Sequence, residues 1–414
     1  MVGFPCRRYT SRPGAANRPG GGPLIGRVGA HCTNVHADVG HWRYTVAVQM
    51  FSSVTVEGFR CFSRFELAPL ERVNLLVGAN NSGKSAMLEA IALLASRGDP
   101  RTIVETALRR GEVIHAEGSE VRADVRRLFH GHVLRGDSPI SLSGQMANML
   151  AHVQLRIRRL RKIRKVATDE EGKRHVVEAF LEDDDFEDAP RYLERKFEYP
   201  GATQLGQKFK LGPGDGLIWP PTDQSIDSGH DVFYVPTESL SGDEVLELVS
   251  PVLLTEAEQW LLESLRLIDE DIEGFRLAPR PSHGRYQSRE SVIVKLRGAS
   301  APVPIGSLGD GVWRLFSLAA AMVATPGGVV LVDDIDTGLH YSIMERMWRQ
   351  LTAIATNLDV QLFATSHSRD CYEALAATEE GLATIHRIER GRERSVVFGG
   401  AMVAAAAAND VEVR

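Results

Sequence analysis

Gly78-Ala79-Asn80-Asn81-Ser82-Gly83-Lys84-Ser85 decides how the rest of the chain is read. It matches G-x-x-x-x-G-K-[ST], and its flanks supply the context that this pattern needs. Val73-Asn74-Leu75-Leu76-Val77 precedes it as an apolar run of strand length. Ala86-Met87-Leu88-Glu89-Ala90-Ile91-Ala92-Leu93-Leu94 follows it as a strong helix former. The spacing has a chemical reason. Gly78 and Gly83 let the backbone turn so that the N–H groups between them, those of Asn80, Asn81 and Ser82 included, face one concavity. The helix beginning near Lys84 adds the positive end of its dipole. Lys84 is expected to reach the β- and γ-phosphates of a nucleoside triphosphate, ATP, and the Ser85 hydroxyl to ligate Mg²⁺. A chance Gly-rich turn would lack this strand and this helix.

Such a loop needs a carboxylate at the end of a neighbouring strand. Val329-Val330-Leu331-Val332 followed by Asp333-Asp334 supplies it. Asp333 is expected to help hold Mg²⁺, and Asp334 lies where a general base would polarise the attacking water. The two halves are about 250 residues apart, which implies a large insertion between them. Further on, Val360-Gln361-Leu362-Phe363-Ala364-Thr365 ends at Ser366-His367-Ser368, placing His367 where a sensor of the γ-phosphate would lie. Before the acidic strand, Ser307-Leu308-Gly309-Asp310 leads into a helical run. By itself this is a capped helix; in order with the other three motifs it is a second anion site.

That order resembles ABC-type ATPases, and more narrowly the RecF/SMC/OLD branch. The opening Val54-Thr55-Val56-Glu57-Gly58-Phe59-Arg60 and the paired Asn80-Asn81 are similar to that branch. Val332-Asp333-Asp334-Ile335-Asp336-Thr337-Gly338-Leu339-His340-Tyr341 is similar to the acidic strand and following loop of stand-alone OLD-like ATPases. The resemblance implies an α/β fold, an ABC-type ATPase head with mixed sheets and helices, and a head-to-tail homodimer sandwiching two ATP. In that dimer Ser307 and Gly309 would touch the γ-phosphate from the opposite subunit. His367 would be the switch histidine, and the loop holding Asp336 and Gly338 would cross the interface. The chain departs from the family twice: the signature lacks the Ser-Gly-Gly-Gln form, and Asp334 stands where Glu is usual. Asp is one methylene shorter, so slow hydrolysis and a long-lived ATP dimer are expected.

Of 414 residues, 43% are hydrophobic and 25% charged, as in a globular chain. The apolar run Leu315 to Thr325 is too short to span a bilayer, so no membrane role is expected. Cys6, Cys32, Cys61 and Cys371 form no CxxC pattern, which fits a reducing cytoplasm better than a disulfide scaffold. Residues 1–49, with six Arg, no Lys and one acid, carry a balance of +5 and read as a disordered or over-extended tail. The remaining 42 basic and 53 acidic residues make the body acidic, so nucleic-acid contact would need a local patch.

The expected partition is a core of 50–95 and 300–400, an inserted α/β lobe of 96–299 without a long coiled coil, and a short tail of 401–414. Within the lobe, strands are expected at Met149 to Ile157, His175 to Leu181, Asp231 to Val235 and Val292 to Leu296. A helix is expected over Thr255 to Asp269, opened by a Thr255/Glu258 capping box. Arg156, Arg158, Arg159 and Arg161 head a basic run that could grip a phosphate backbone. Ten acids follow between Asp169 and Asp188, so a self-neutralising hairpin is the plainer reading. Gln145 and Gln154 are weak candidates for a Mg²⁺-sensing loop. Only 47 residues follow His367, too few for the Toprim nuclease of OLD proteins, so any effector is expected on a separate chain.

Overall fold

The computed structural model describes residues 50–115, 121–132, 138–147, 149–168, 173–182, 189–199, 202–218, 232–278, 292–378, 382–399, 402, 403 and 405. The tail 1–49, most of the acidic run and most of the Ala404 to Ala408 run lie outside them. Strands β1 (Phe51–Phe59), β2 (Phe62–Leu67) and β3 (Val73–Val77) precede helices α1 (Lys84–Ala95) and α2 (Pro100–Arg110). Next come β4 (Val113–His115), β5 (Val121–Asp124), β6 (Ile140–Met146), β7 (Met149–Thr168), β8 (Arg174–Glu182) and β9 (Arg191–Tyr199). β10 (Ala202–Lys210), β11 (Gly216–Ile218) and β12 (Val232–Val235) lead to α3 (Gly242–Val249) and α4 (Ala257–Arg266). β13 (Ile272–Leu277), β14 (Val292–Leu296) and β15 (Val303–Pro304) precede α5 (Asp310–Val323). β16 (Val329–Val332), α6 (Met344–Asn357), β17 (Gln361–Thr365), α7 (Arg369–Ala376), β18 (Ala383–Arg387) and β19 (Val396–Phe398) complete it.

Two large sheets position the site. One runs β12-β16-β17-β3-β18-β19, parallel except for the last strand. The other is antiparallel, β10-β9-β7-β6-β1-β2, with β8 pairing the far half of β7. α1 lies between them, and every residue of it except Ser85 is buried. This is why its sequence is apolar all round rather than amphipathic. One core packs α1 against β1, β2 and β6 and against Leu331 and Phe363 of the parallel sheet. The opposite face of the parallel sheet packs on α5, whose Trp313, Phe316 and Leu318 are buried, and on α6. Gln361 stitches the sheets together: Phe51 N–H donates to its Oε1 (3.0 Å), and its Nε2 donates to Phe51 O (2.8 Å) and Glu71 O (3.0 Å).

Several expectations change here. Strands of 96–299 are shared between both sheets: β6 pairs with β1, and β12 lies beside β16. The strand expected to end at Ile157 runs on to Thr168, because β8 supplies a partner ladder from Leu160 to Thr168. The Thr255/Glu258 capping box is absent. The Thr255 hydroxyl donates to Val252 O, and the Glu258 carboxylate instead accepts from Leu254 N–H at 2.7 Å. A capping box does open α3, where Ser241 and Glu244 satisfy each other's backbone N–H groups. Gln145 and Gln154 lie on β6 and β7 of the antiparallel sheet.

Candidate functional site

The phosphate loop joins β3 to α1. Gly78 has φ 146° and Gly83 φ 111°. A Cβ at Gly78 would fall 2.4 Å from Ile388 O, and one at Gly83 would fall 2.6 Å from Phe62 Cζ. Both the conformation and the space therefore demand glycine. Lys84 is buried, and its ammonium donates to Gly78 O (2.9 Å) and Ala79 O (3.0 Å). Burial pushes its pKa down, against the pull of Asp334 and Asp333. Ser82 is also buried, and its Oγ has no partner among the described residues. Asn80 and Asn81 are exposed.

The adjacent strand ends carry the carboxylates. Asp333, following β16, receives three hydroxyls: Thr365 Oγ1 (2.6 Å) and Ser85 Oγ (3.1 Å) on Oδ1, and Tyr234 OH (3.2 Å) on Oδ2. Parallel pairing in register puts β12, β16 and β17 side by side and so delivers Tyr234, Asp333 and Thr365 to one place. Ser85 and Asp333 make a hydroxyl–carboxylate donor pair of the kind Mg²⁺ uses together with phosphate oxygens and waters. Asp334 stands in the left-handed region (φ 44°), held by its N–H donating to Thr365 Oγ1 at 2.8 Å. Its Oδ1 lies 3.9 Å from His367 Nε2, and Thr237 Oγ1 reaches its Oδ2 at 3.4 Å. Burial pushes the Asp334 carboxyl up, and Asp333 beside it adds to that shift.

The sequence reading missed Arg314, Tyr234, Thr365 and Thr237. Arg314, on α5, is 1% exposed. Its guanidinium donates to Pro236 O (2.6 Å), Asp333 O (2.7 Å) and Asp334 O (3.0 Å). Burial pulls its pKa down to about 10. A cation inside the apolar face of α5 was a visible signal, since buried Arg is rare without partners. Thr237 and Tyr234 had none, because they lie about 100 residues from the carboxylates they touch.

A cleft of about 670 Å³ opens over this site; Lys84, Ser85, Asp334 and His367 line it together with Cys61 and Arg390. The other site candidates lie elsewhere. Ser307, in the turn Ile305–Leu308, and Gly309 at the start of α5 are exposed and do not line that cleft. Asp336 and Gly338 belong to the loop after β16 and do not line it either. Arg158 faces Glu194 at 3.4 Å and is 17% exposed, whereas Arg161 is exposed.

Together, these features define a P-loop ATPase with an α/β fold of mixed sheets and helices. The chain belongs to the family described as "AAA domain, putative AbiEii toxin, Type IV TA system", whose model matches residues 115–370. A second model, "AAA ATPase domain", matches residues 50–129. An "ATP/GTP phosphatase" of Helicobacter pylori is 20% identical over 79% of this chain and 87% of its own length. Among solved structures, the SMC head domain of Thermotoga maritima is 12% identical, with a TM-score of 0.38 over 84% of this chain and 98% of its own. A Pyrococcus furiosus Smc head bound to the C-terminal domain of ScpA is 12% identical, with a TM-score of 0.41 over 87% and 99%. The protein is an ATPase that converts ATP to ADP and phosphate. Among the described residues, no helix is long and apolar enough to cross a membrane.

Proposed function

We propose that this ATPase is a slow switch whose two copies close head to tail around two ATP and Mg²⁺. Gly78 to Ser85 bind the triphosphate in cis, and Ser85 and Asp333 hold the metal. Asp334 orients and activates the attacking water, with His367 sensing the γ-phosphate beside it. Ser307 and Gly309 complete the site from the opposite subunit, and Asp336 and Gly338 line the crossing. The observation that carries this reading is the division of the motifs. The cleft beside Asp334 contains the cis set, whereas Ser307 and Gly309 are solvent-exposed on a separate turn. The stand-alone OLD-like branch is the affiliation that best matches this arrangement.

Slow turnover follows from Asp334. The shorter side chain, tethered through its backbone to Thr365 and Arg314, holds its carboxylate back from a water that Glu would reach.

The switch serves either a nucleic-acid transaction of repair or defence type, or the holding and release of a separately encoded effector. Two observations favour the effector. Arg158 is engaged by Glu194, which removes it from phosphate contact, and Arg156 and Arg159 are only partly exposed. The family description also names a toxin–antitoxin system. Affinity purification of the Asp334→Asn chain with and without ATP separates the two readings. A stoichiometric protein partner retained only with ATP favours the effector. Strong stimulation of wild-type hydrolysis by DNA or RNA, lost on changing Arg158, Arg159 and Arg161 to Glu with ATP binding kept, favours the nucleic-acid reading.

A further inference from the structure

The loop that follows the carboxylates is built against the start of α5. A Cβ on Gly311 would lie 2.9 Å from Gly338 O, and one on Gly338 would lie 3.8 Å from Asp310 Cβ. The loop therefore shares a face with Gly309 and Ser307. Two residues beyond Gly338, His340 and Tyr341 stand out from that face. Their rings lie 4.2 Å apart, His340 is exposed, and Tyr341 is 65% exposed.

The imidazole is oriented before any partner arrives. Ser342 N–H donates to His340 Nδ1 at 3.4 Å, and Ser342 Oγ lies 2.9 Å from the same nitrogen. A backbone N–H can only donate, so Nδ1 is the accepting nitrogen and the ring proton sits on Nε2. Nε2 has no partner among the described residues. A fixed N–H donor thus stands on an exposed loop beside the exposed signature turn. It is the chemistry that takes a phosphate oxygen.

We propose that His340 of one subunit donates its Nε2–H to phosphate oxygens of the nucleotide bound by the opposite subunit. This rests on the head-to-tail reading above, and the experiment is arranged to tell the two apart. His340→Ala is expected to lower hydrolysis by about tenfold or more while leaving nucleotide binding to the monomer intact. His340→Gln, which keeps an N–H near the Nε2 position, is expected to restore most of the rate. Mixing is the decisive step. In a dimer of one Asp334→Asn chain, which binds ATP without hydrolysing it, and one His340→Ala chain, a donor acting across the interface leaves one site whole. An equimolar mixture then recovers about one quarter of the wild-type rate, half of its dimers being mixed with one good site in two.

Ser307→Ala mixed with Asp334→Asn provides the control. Recovery in the Ser307 mixture but not in the His340 mixture overturns the role of His340 and leaves the sandwich standing. Recovery in neither overturns the head-to-tail reading and the role of His340 with it. An unchanged rate in the His340→Ala homodimer also overturns it.

Discussion

The carboxylate site and the signature turn, both lying where α5 starts and β16 ends, make a contrast within one chain. At the carboxylate end, nearly every polar group is satisfied internally: Asp333 accepts three hydroxyls, and Arg314 closes three backbone carbonyls. At the signature end, Ser307, Gly309 and His340 are exposed. The first region is a machine part finished by folding, because buried polar groups must find partners. The second carries donors turned to solvent, as an interface does before it forms. Folding alone positions the proposed water-activating base, whereas the proposed γ-phosphate clamp requires a second copy.

The largest effect should come from breaking the finished end. Lys84→Ala is expected to abolish ATP binding and to lower hydrolysis by about 10²–10³-fold, measured by nucleotide titration and phosphate release. Arg314→Met should follow. It leaves the carbonyls of Pro236, Asp333 and Asp334 without their donor, at a cost of about 2–4 kcal/mol in chemical denaturation and a reduced rate. Asp334→Glu sharpens the contrast in the other direction: it is expected to raise turnover by about tenfold, and a fall would refute the account of slow hydrolysis.

Asp334→Asn separates function from stability. The folded-state pKa of Asp334 is raised, so its proton stabilises the fold at low pH, and that contribution is lost as pH rises through the raised value. Above that window the ionised carboxylate is a cost. The Asn variant should therefore melt higher than wild type at pH 8, the gain shrinking toward pH 4, while hydrolysis is lost. Wild-type turnover should fall, on acidification, at a pH above the ordinary carboxylate range. The smallest effect belongs to the exposed end of β7. Arg161→Glu should change stability by no more than about 0.5 kcal/mol, as an exposed substitution does.

The legible parts of this fold were those in which local sequence dictates local structure. The glycine spacing of 78 and 83, the all-round apolar α1 and the buried strand before Asp333 could each be read from fewer than a dozen residues. The unread parts depend on register between distant strands. Thr365 matters because β17 lies beside β16, and Tyr234 because β12 lies on the other flank. No periodicity within 232–235 announces that neighbour. The Thr255/Glu258 box failed because helix start signals recur, and a shift of one residue let Leu254 N–H take the Glu258 carboxylate. The basic run, read chiefly as one arm of a self-neutralising hairpin, pairs antiparallel with β8. Successive residues of a strand alternate sides, so cations adjacent in sequence do not form one patch, and the cross-sheet Glu194 takes one of them.

The most direct test of the central claim is the mass of the Asp334→Asn chain in solution, measured by analytical ultracentrifugation with and without ATP and Mg²⁺. The account predicts a monomer without nucleotide and a stable dimer with ATP, returned to monomer by Ser307→Arg. A chain that binds ATP yet stays monomeric, or one whose dimer is indifferent to both ATP and Ser307, would contradict it.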